Sequence, residues 1–207
     1  MNLAIFASGR GSNFSAILRA VKEGRIKVDL KILFCDQPQA KVIRRAQSAG
    51  VRVVLIDRRD FFSRIDFEAA ILRKLKEYKI GLIALAGFMR LLSPRFVRRY
   101  RHRIINIHPS LLPAFKGAHA IKDAFDRKVD VTGVTVHFVD EEVDHGPVIL
   151  QQRIKVSRKD TLVSLERKIH RLEHKLYPRA IQLLLSGKVE FSSGSGFSKK
   201  SSQIRNK

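Results

Sequence analysis

The run Ile80-Gly81-Leu82-Ile83-Ala84-Leu85-Ala86 constrains the fold more than any other stretch of the chain. A strand with one solvated face alternates apolar and polar residues, and this one does not. Near-continuous apolarity belongs to a strand covered on both faces, as in a parallel sheet with helices on either side. The neighbouring segments fit that frame. Strand-like runs at 2–7, 28–35, 51–56 and 104–107 alternate with helical patterns after Ser12, at 40–49, at 61–78 and near 94–100. Within 61–78 the spacing predicts a buried side made of Ile65, Ala69, Leu72 and Leu75. After residue 130 the rhythm changes. Runs at 131–139 and 147–156 flank 140–146 as a hairpin would, and 161–186 reads as one long helix closed by Gly187. The expected fold class is α/β: a doubly wound, mostly parallel sheet with helices on both faces and an antiparallel addition near the C-terminal part.

The 207 residues suffice for one domain with a sizeable core. Residues 1–191 read as that domain. Residues 192–207, with six Ser, four Lys or Arg and no acid, read as a basic, disordered tail. The longest apolar run, 80–89, falls short of the roughly 18 residues a membrane helix needs. The run 3–7 is too short for a secretory signal core. A single cysteine, Cys35, excludes a disulfide framework and reads as a small core residue. A cytoplasmic protein that uses no membrane is expected. The charge is unusual, with 41 Lys and Arg against 19 Asp and Glu, a net +22. Such an excess favours an anionic partner, whether nucleic acid or phosphorylated metabolites. The charges are spread along the chain, however, and no Trp and only 3 Tyr are present to stack on bases. Solvated helix faces account for the excess without a nucleic-acid partner.

Three segments carry chemistry. Gly9-Arg10-Gly11-Ser12-Asn13 follows the first strand, where a helix N-terminus offers free N–H groups to an anion. Ser12 or Asn13 is placed to cap that helix. Phe14 stands where a dinucleotide motif has its third glycine, so a smaller phosphate fits better. Asn106 and His108 are two residues apart on a strand and emerge on one side at its carboxyl end, before a loop stiffened by Pro109 and Pro113. An amide beside an imidazole stabilises an oxyanion and manages a proton. The loop Asp140-Glu141-Glu142-Val143-Asp144-His145-Gly146 supplies four carboxylates, one of which set against His108 favours the imidazolium. Finally, His170-Arg171-Leu172-Glu173-His174 matches an inverted zinc-peptidase pattern, but only Glu190 follows as a further acid ligand, and no metal is expected.

Together with Ala86-Gly87-Phe88-Met89-Arg90-Leu91-Leu92 and Asn106-Ile107-His108-Pro109-Ser110-Leu111-Leu112-Pro113, these segments resemble the phosphoribosylglycinamide formyltransferase family in order and spacing over residues 1 to about 190. The resemblance implies transfer of a formyl group from 10-formyltetrahydrofolate, the co-substrate, to the glycine amine of phosphoribosylglycinamide in purine synthesis. It implies Asn106, His108 and Asp144 as the catalytic trio. Gly11, Ser12 and Asn13 would hold the substrate phosphate, and His170, Arg171, Leu172 and Glu173 would lie at the acceptor, with Glu173 on its amine. Arg64, Met89, Arg90, Leu91 and Leu92, with Asn106 and the loop residues Asp140, Glu141, Glu142, Val143 and Asp144, would line the folate pocket. Initiator-tRNA formyltransferases resemble the chain around 106–113 but lack the Gly9–Asn13 turn and carry an RNA-binding domain beyond. A formyltetrahydrofolate hydrolase would share the trio behind an N-terminal regulatory domain. The sequence fixes no oligomeric state.

Overall fold

The computed structural model describes residues 1–187. The expected tail at 192–207, and the end of the expected 1–191 domain, lie outside the described residues. The strands are β1 (Asn2–Phe6), β2 (Asp29–Cys35), β3 (Arg52–Leu55), β4 (Leu82–Leu85), β5 (Ile104–His108), β6 (Val131–Phe138) and β7 (Val148–Lys155). The helices are α1 (Ser12–Lys22), α2 (Lys41–Ser48), α3 (Arg64–Glu77), α4 (Pro94–Arg99), α5 (Ala120–Asp126) and α6 (Leu162–Leu185). One sheet holds all seven strands in the order β3-β2-β1-β4-β5-β6-β7. Strands β1 to β5 pair in parallel, and β6 and β7 add on in antiparallel fashion. The expected fold class is the observed one.

Alternation along the central strands feeds two separate cores. Leu3 and Ile5 of β1 and Leu82 and Ala84 of β4 join Phe14 and Ile17 of α1, Val42 of α2 and Leu165, Ile169 and Leu176 of α6. The intervening Ala4, Phe6, Ile83 and Leu85 join Phe67 and Ile71 of α3 and Phe96 of α4 on the opposite face. All four β4 residues are buried, which is why the 80–86 run had to be apolar throughout. Cys35 lies in the first core, where burial pushes its thiol up. Tyr177 of α6 is completely buried. Its hydroxyl lies 2.9 Å from the Leu85 carbonyl and 3.1 Å from that of Ile105, sharing its proton between β4 and β5.

Two local expectations need correction. The buried side of α3 is Phe67, Ala70, Ile71 and Leu75, while Ile65 and Ala69 face solvent. Phe67, Ile71 and Leu75 are spaced by four and carry the larger side chains, so they set the helix rotation. Neither Ser12 nor Asn13 caps α1. The cap residue is Gly11, left-handed at φ 75°, and no side chain bonds the helix's first amides. A Cβ at Gly11 would come within 2.4 Å of Val42, so only glycine fits where α2 crosses the turn. Helix α5 was not anticipated from the sequence.

Because β1 sits between β2 and β4, the chain winds outward in opposite directions from it. The crevice at the carboxyl ends of β1 and β4 is the switch point where such sheets receive ligands.

Candidate active site

The Gly9–Asn13 turn opens into that crevice. With no side-chain cap, the first amides of the 11-residue α1 keep their donors for an anion. Asn13 is buried and turns away from the capping role: its Nδ2 donates to Glu173 Oε2 at 3.1 Å. His170 Nδ1 lies 3.1 Å from the same oxygen. The Glu173 hydrogen bond raises the His170 pKa against the opposing cost of burial. One turn on, His174 moves the other way, because burial there outweighs the Glu173 charge. Two side-chain atoms in this cluster, Asn13 Oδ1 and His174 Nε2, are buried with no hydrogen-bond partner. Of the expected acceptor segment, His170 and Glu173 meet, and the side chain of Asn13, a residue expected at the phosphate, joins them. Arg171 points to solvent, and Leu172 belongs to the core. Among the described residues no group of three or more His, Cys, Asp or Glu is arranged to hold a metal ion.

Asn106 and His108 emerge together from β5, as their spacing predicts, and meet Asp144, as the resemblance implies. Asp144 Oδ2 accepts the Gly117 amide at 2.8 Å and lies 3.3 Å from His108 Nδ1, while Asn106 Nδ2 approaches Oδ1 at 3.5 Å. His108 Nε2 donates to the Phe115 carbonyl at 2.8 Å, so both ring nitrogens face acceptors. A fourth member was missed. His137 of β6 is the cross-strand partner of Asn106, and its Nε2 lies 3.7 Å from Asp144 Oδ1. Its Nδ1 donates to the Phe138 carbonyl at 2.8 Å, which fixes the ring. Burial pushes the Asp144 carboxyl up, but His137, the Gly117 amide and the charge of His108 together outweigh it and hold it down at about 2.

Local backbone geometry presents Asp144 to the strand. Its own φ is +48°, in the left-handed region that Asp tolerates better than most residues. Two residues on, a Cβ at Gly146 would stand 2.0 Å from the Phe138 carbonyl, so the loop returns to the sheet only over a glycine. Behind His108, Thr135 Oγ1 donates to the Ser110 carbonyl at 2.7 Å and accepts the Leu112 amide at 3.1 Å, pinning the proline-bounded loop.

Across the crevice lies a cavity of about 310 Å³, inside the roughly 300–1,000 Å³ typical of small-molecule sites. Arg64, Met89, Arg90, Leu91 and Leu92 all line it, together with Phe67 and Phe88. Arg64 donates to the Leu91 carbonyl at 2.6 Å and pairs with Glu68 at 3.1 Å. Glu68, unremarked in the sequence, is buried and also accepts the Ser93 amide and hydroxyl, which ties α3 to the start of α4. Asn106, Asp140, Glu141, Glu142, Val143 and Asp144, expected at the folate pocket, are not among the cavity's lining residues. Asp140 instead pairs with His145 at 2.8 Å, and Glu141 lies 3.8 Å from Arg98.

A mostly parallel sheet with an Asn–His–Asp cluster at a strand end and a cavity beyond the end of β4 is the arrangement of an α/β-class enzyme that works at the carboxyl edge of its sheet. Residues 1–181 match the family model described as formyl transferase, and the chain belongs to that family. It is 47% identical over 182 residues to the phosphoribosylglycinamide formyltransferase of Bacillus subtilis, covering 88% of this chain and 93% of that one. Glycinamide ribonucleotide transformylase 1 from Symbiobacterium toebii superposes with a TM-score of 0.90 at 40% identity, covering 93% of this chain and 91% of its own. The trifunctional purine biosynthetic protein adenosine-3 of Gallus gallus is 40% identical over 190 residues. There the match takes in 92% of this chain but 19% of the longer one.

Proposed function

We propose that the protein transfers the formyl group of 10-formyltetrahydrofolate to the glycine amine of phosphoribosylglycinamide, a step of purine synthesis. The observation that carries this reading is the pairing of an uncapped α1 N-terminus with the His108–Asp144 cluster at one sheet edge, in a chain 47% identical to a relative of that name. Gly11, Ser12 and Asn13 take the phosphate through backbone amides, and Glu173, with His170, receives the amine end. The apolar and arginine-lined cavity takes the folate. Small molecules are its partners, without nucleic acid, and the reaction belongs in the cytoplasm. Among the described residues no helix is long and apolar enough to cross a membrane.

The neutral amine attacks the formyl carbon. Negative charge grows on the carbonyl oxygen, and Asn106 and protonated His108 donate to it. A His108 N–H reaches that oxygen only once the Phe115 carbonyl releases Nε2, so substrate replaces an internal acceptor that already occupies the oxyanion's place. The bond from the formyl carbon to the folate nitrogen then breaks. The proton lost by the amine ends on that nitrogen, moved by Asp144 and His108, and the products are the formylated ribonucleotide and tetrahydrofolate. Asp144, held ionised at neutral pH, supplies the negative charge that balances the imidazolium.

The test is folate product formation by purified protein with 10-formyltetrahydrofolate and one of three acceptors: phosphoribosylglycinamide, charged initiator tRNA or water. Turnover with the ribonucleotide alone is the expected result. Turnover with tRNA or water in its place would overturn the substrate and keep the formyl chemistry.

A further inference from the structure

Asp36 stands at the carboxyl end of β2, one strand removed from both proposed substrates, yet its carboxylate is completely buried. Three neighbours use it. Ser8 Oγ donates to Oδ1 at 2.6 Å, Gln37 Nε2 approaches Oδ2 at 3.3 Å, and the Arg90 guanidinium pairs with Oδ2. Ser8 in turn accepts the Met89 amide at 3.0 Å, and its own amide donates to the Gly87 carbonyl at 3.0 Å. The segment 87–92 is therefore held at three points, Gly87, Met89 and Arg90, by two residues from the ends of β1 and β2. Ser8 also begins the turn that runs through Gly9 to Gly11, and the Gly9 carbonyl is fixed by the Val42 amide.

We infer that Asp36 and Ser8 are positioning residues that lock the pocket segment 87–92 to the anion-binding turn, so that the two substrate sites keep one fixed separation. Neither residue lines the cavity, and neither belongs to the Asn106–His108–Asp144 cluster. A buried carboxylate left without its cation carries a large desolvation penalty, so Arg90 is held in place and not free to sample other positions. A serine that both donates and accepts transmits that constraint to the Met89 backbone.

The inference rests on the folate reading of the cavity, and its test separates the two. Met89 amide exchange is followed in the unliganded protein, where no substrate is involved. Ser8→Ala should speed that exchange roughly tenfold, and Ser8→Thr, which keeps the hydroxyl, should restore it. In steady-state assays Asp36→Asn and Ser8→Ala should each raise KM for 10-formyltetrahydrofolate roughly tenfold while kcat stays within about twofold. A residue that served only to stabilise the fold would lower the melting temperature and the active fraction, and hence kcat, at unchanged KM. Unchanged Met89 exchange in Ser8→Ala would overturn the lock, and so would faster exchange with unchanged folate KM in protein that turns over. A wild-type protein with no folate turnover would sink the function and leave the exchange experiment to decide the lock.

Discussion

Two carboxylates anchor the two ends of the crevice, and they are treated oppositely. Asp144, at the β5–β6 end, accepts an amide at 2.8 Å, lies 3.3 Å from one imidazole and 3.7 Å from a second, and is approached by the Asn106 side chain. Glu173, at the α1–α6 end, holds Asn13 and His170 but leaves Asn13 Oδ1 and His174 Nε2 buried without partners. An unsatisfied buried polar atom costs roughly 1–3 kcal/mol, so these two are open to a partner that the protein itself does not supply. The His108 end thus has its side chains paired in the free protein, with the Phe115 carbonyl on Nε2, whereas the Glu173 end keeps two polar atoms unpaired. In the proposed reaction His108 exchanges one acceptor for another, whereas the Glu173 end gains partners that the free protein does not supply.

The comparison breaks most severely at Asp144. Asp144→Asn should lower kcat by roughly 10²–10⁴, read as folate product formation at neutral pH, with KM for the ribonucleotide little changed. His108→Ala should cost roughly 10²–10³ in kcat by the same assay. At the other end the effect should fall on binding. Glu173→Gln should raise KM for the ribonucleotide roughly tenfold. In the same variant the His170 imidazole, which Glu173 raises above its ordinary 6.5, should titrate lower by NMR. The sign also bears on stability: a raised histidine stabilises the fold below about pH 6.5, and that contribution disappears as pH rises through its folded value. The smallest effect is on acid stability. Asp144 falls from an ordinary 3.8 to about 2, so its contribution is present above about pH 4 and is lost as pH falls through about 2. Urea midpoints of wild type and Asp144→Asn should therefore converge between about pH 4 and 2, with wild type the more stable above that range.

Much of this architecture was legible because periodicity reports burial directly. The 80–86 run announced a central strand, and the two-residue spacing of Asn106 and His108 placed both at one strand end. Register was not legible. His137 lies in an otherwise ordinary β-branched strand, and only the pairing of Asn106 with His137 brings it to Asp144. Glu68 and Asp36 escaped notice for a related reason: a buried acid looks like a surface acid until its partners, Ser93 and Arg90, arrive from distant segments. The α3 stripe was rotated because small Ala69 counted as much as Phe67 in the spacing, although the larger side chain sets which side turns inward. The cap of α1 was misplaced because the left-handed Gly11 answers to Val42 of another helix, which no local rule contains.

The buried hydroxyl of Tyr177 ties the helix that carries Glu173 to the strands that carry the folate-side segment and His108. Glu173 and Tyr177 are one helical turn apart, so in the proposed reaction a bond to two strand carbonyls fixes how far the acceptor's anchor lies from the reacting carbon. The protein is in that sense a ruler. An acceptor whose amine sits on a tether one methylene longer would overshoot the formyl carbon by about 1 Å, a misplacement on the order of 10²-fold in rate. In the proposed reaction, selectivity for the length of the acceptor is thus set by a tyrosine that the acceptor never touches.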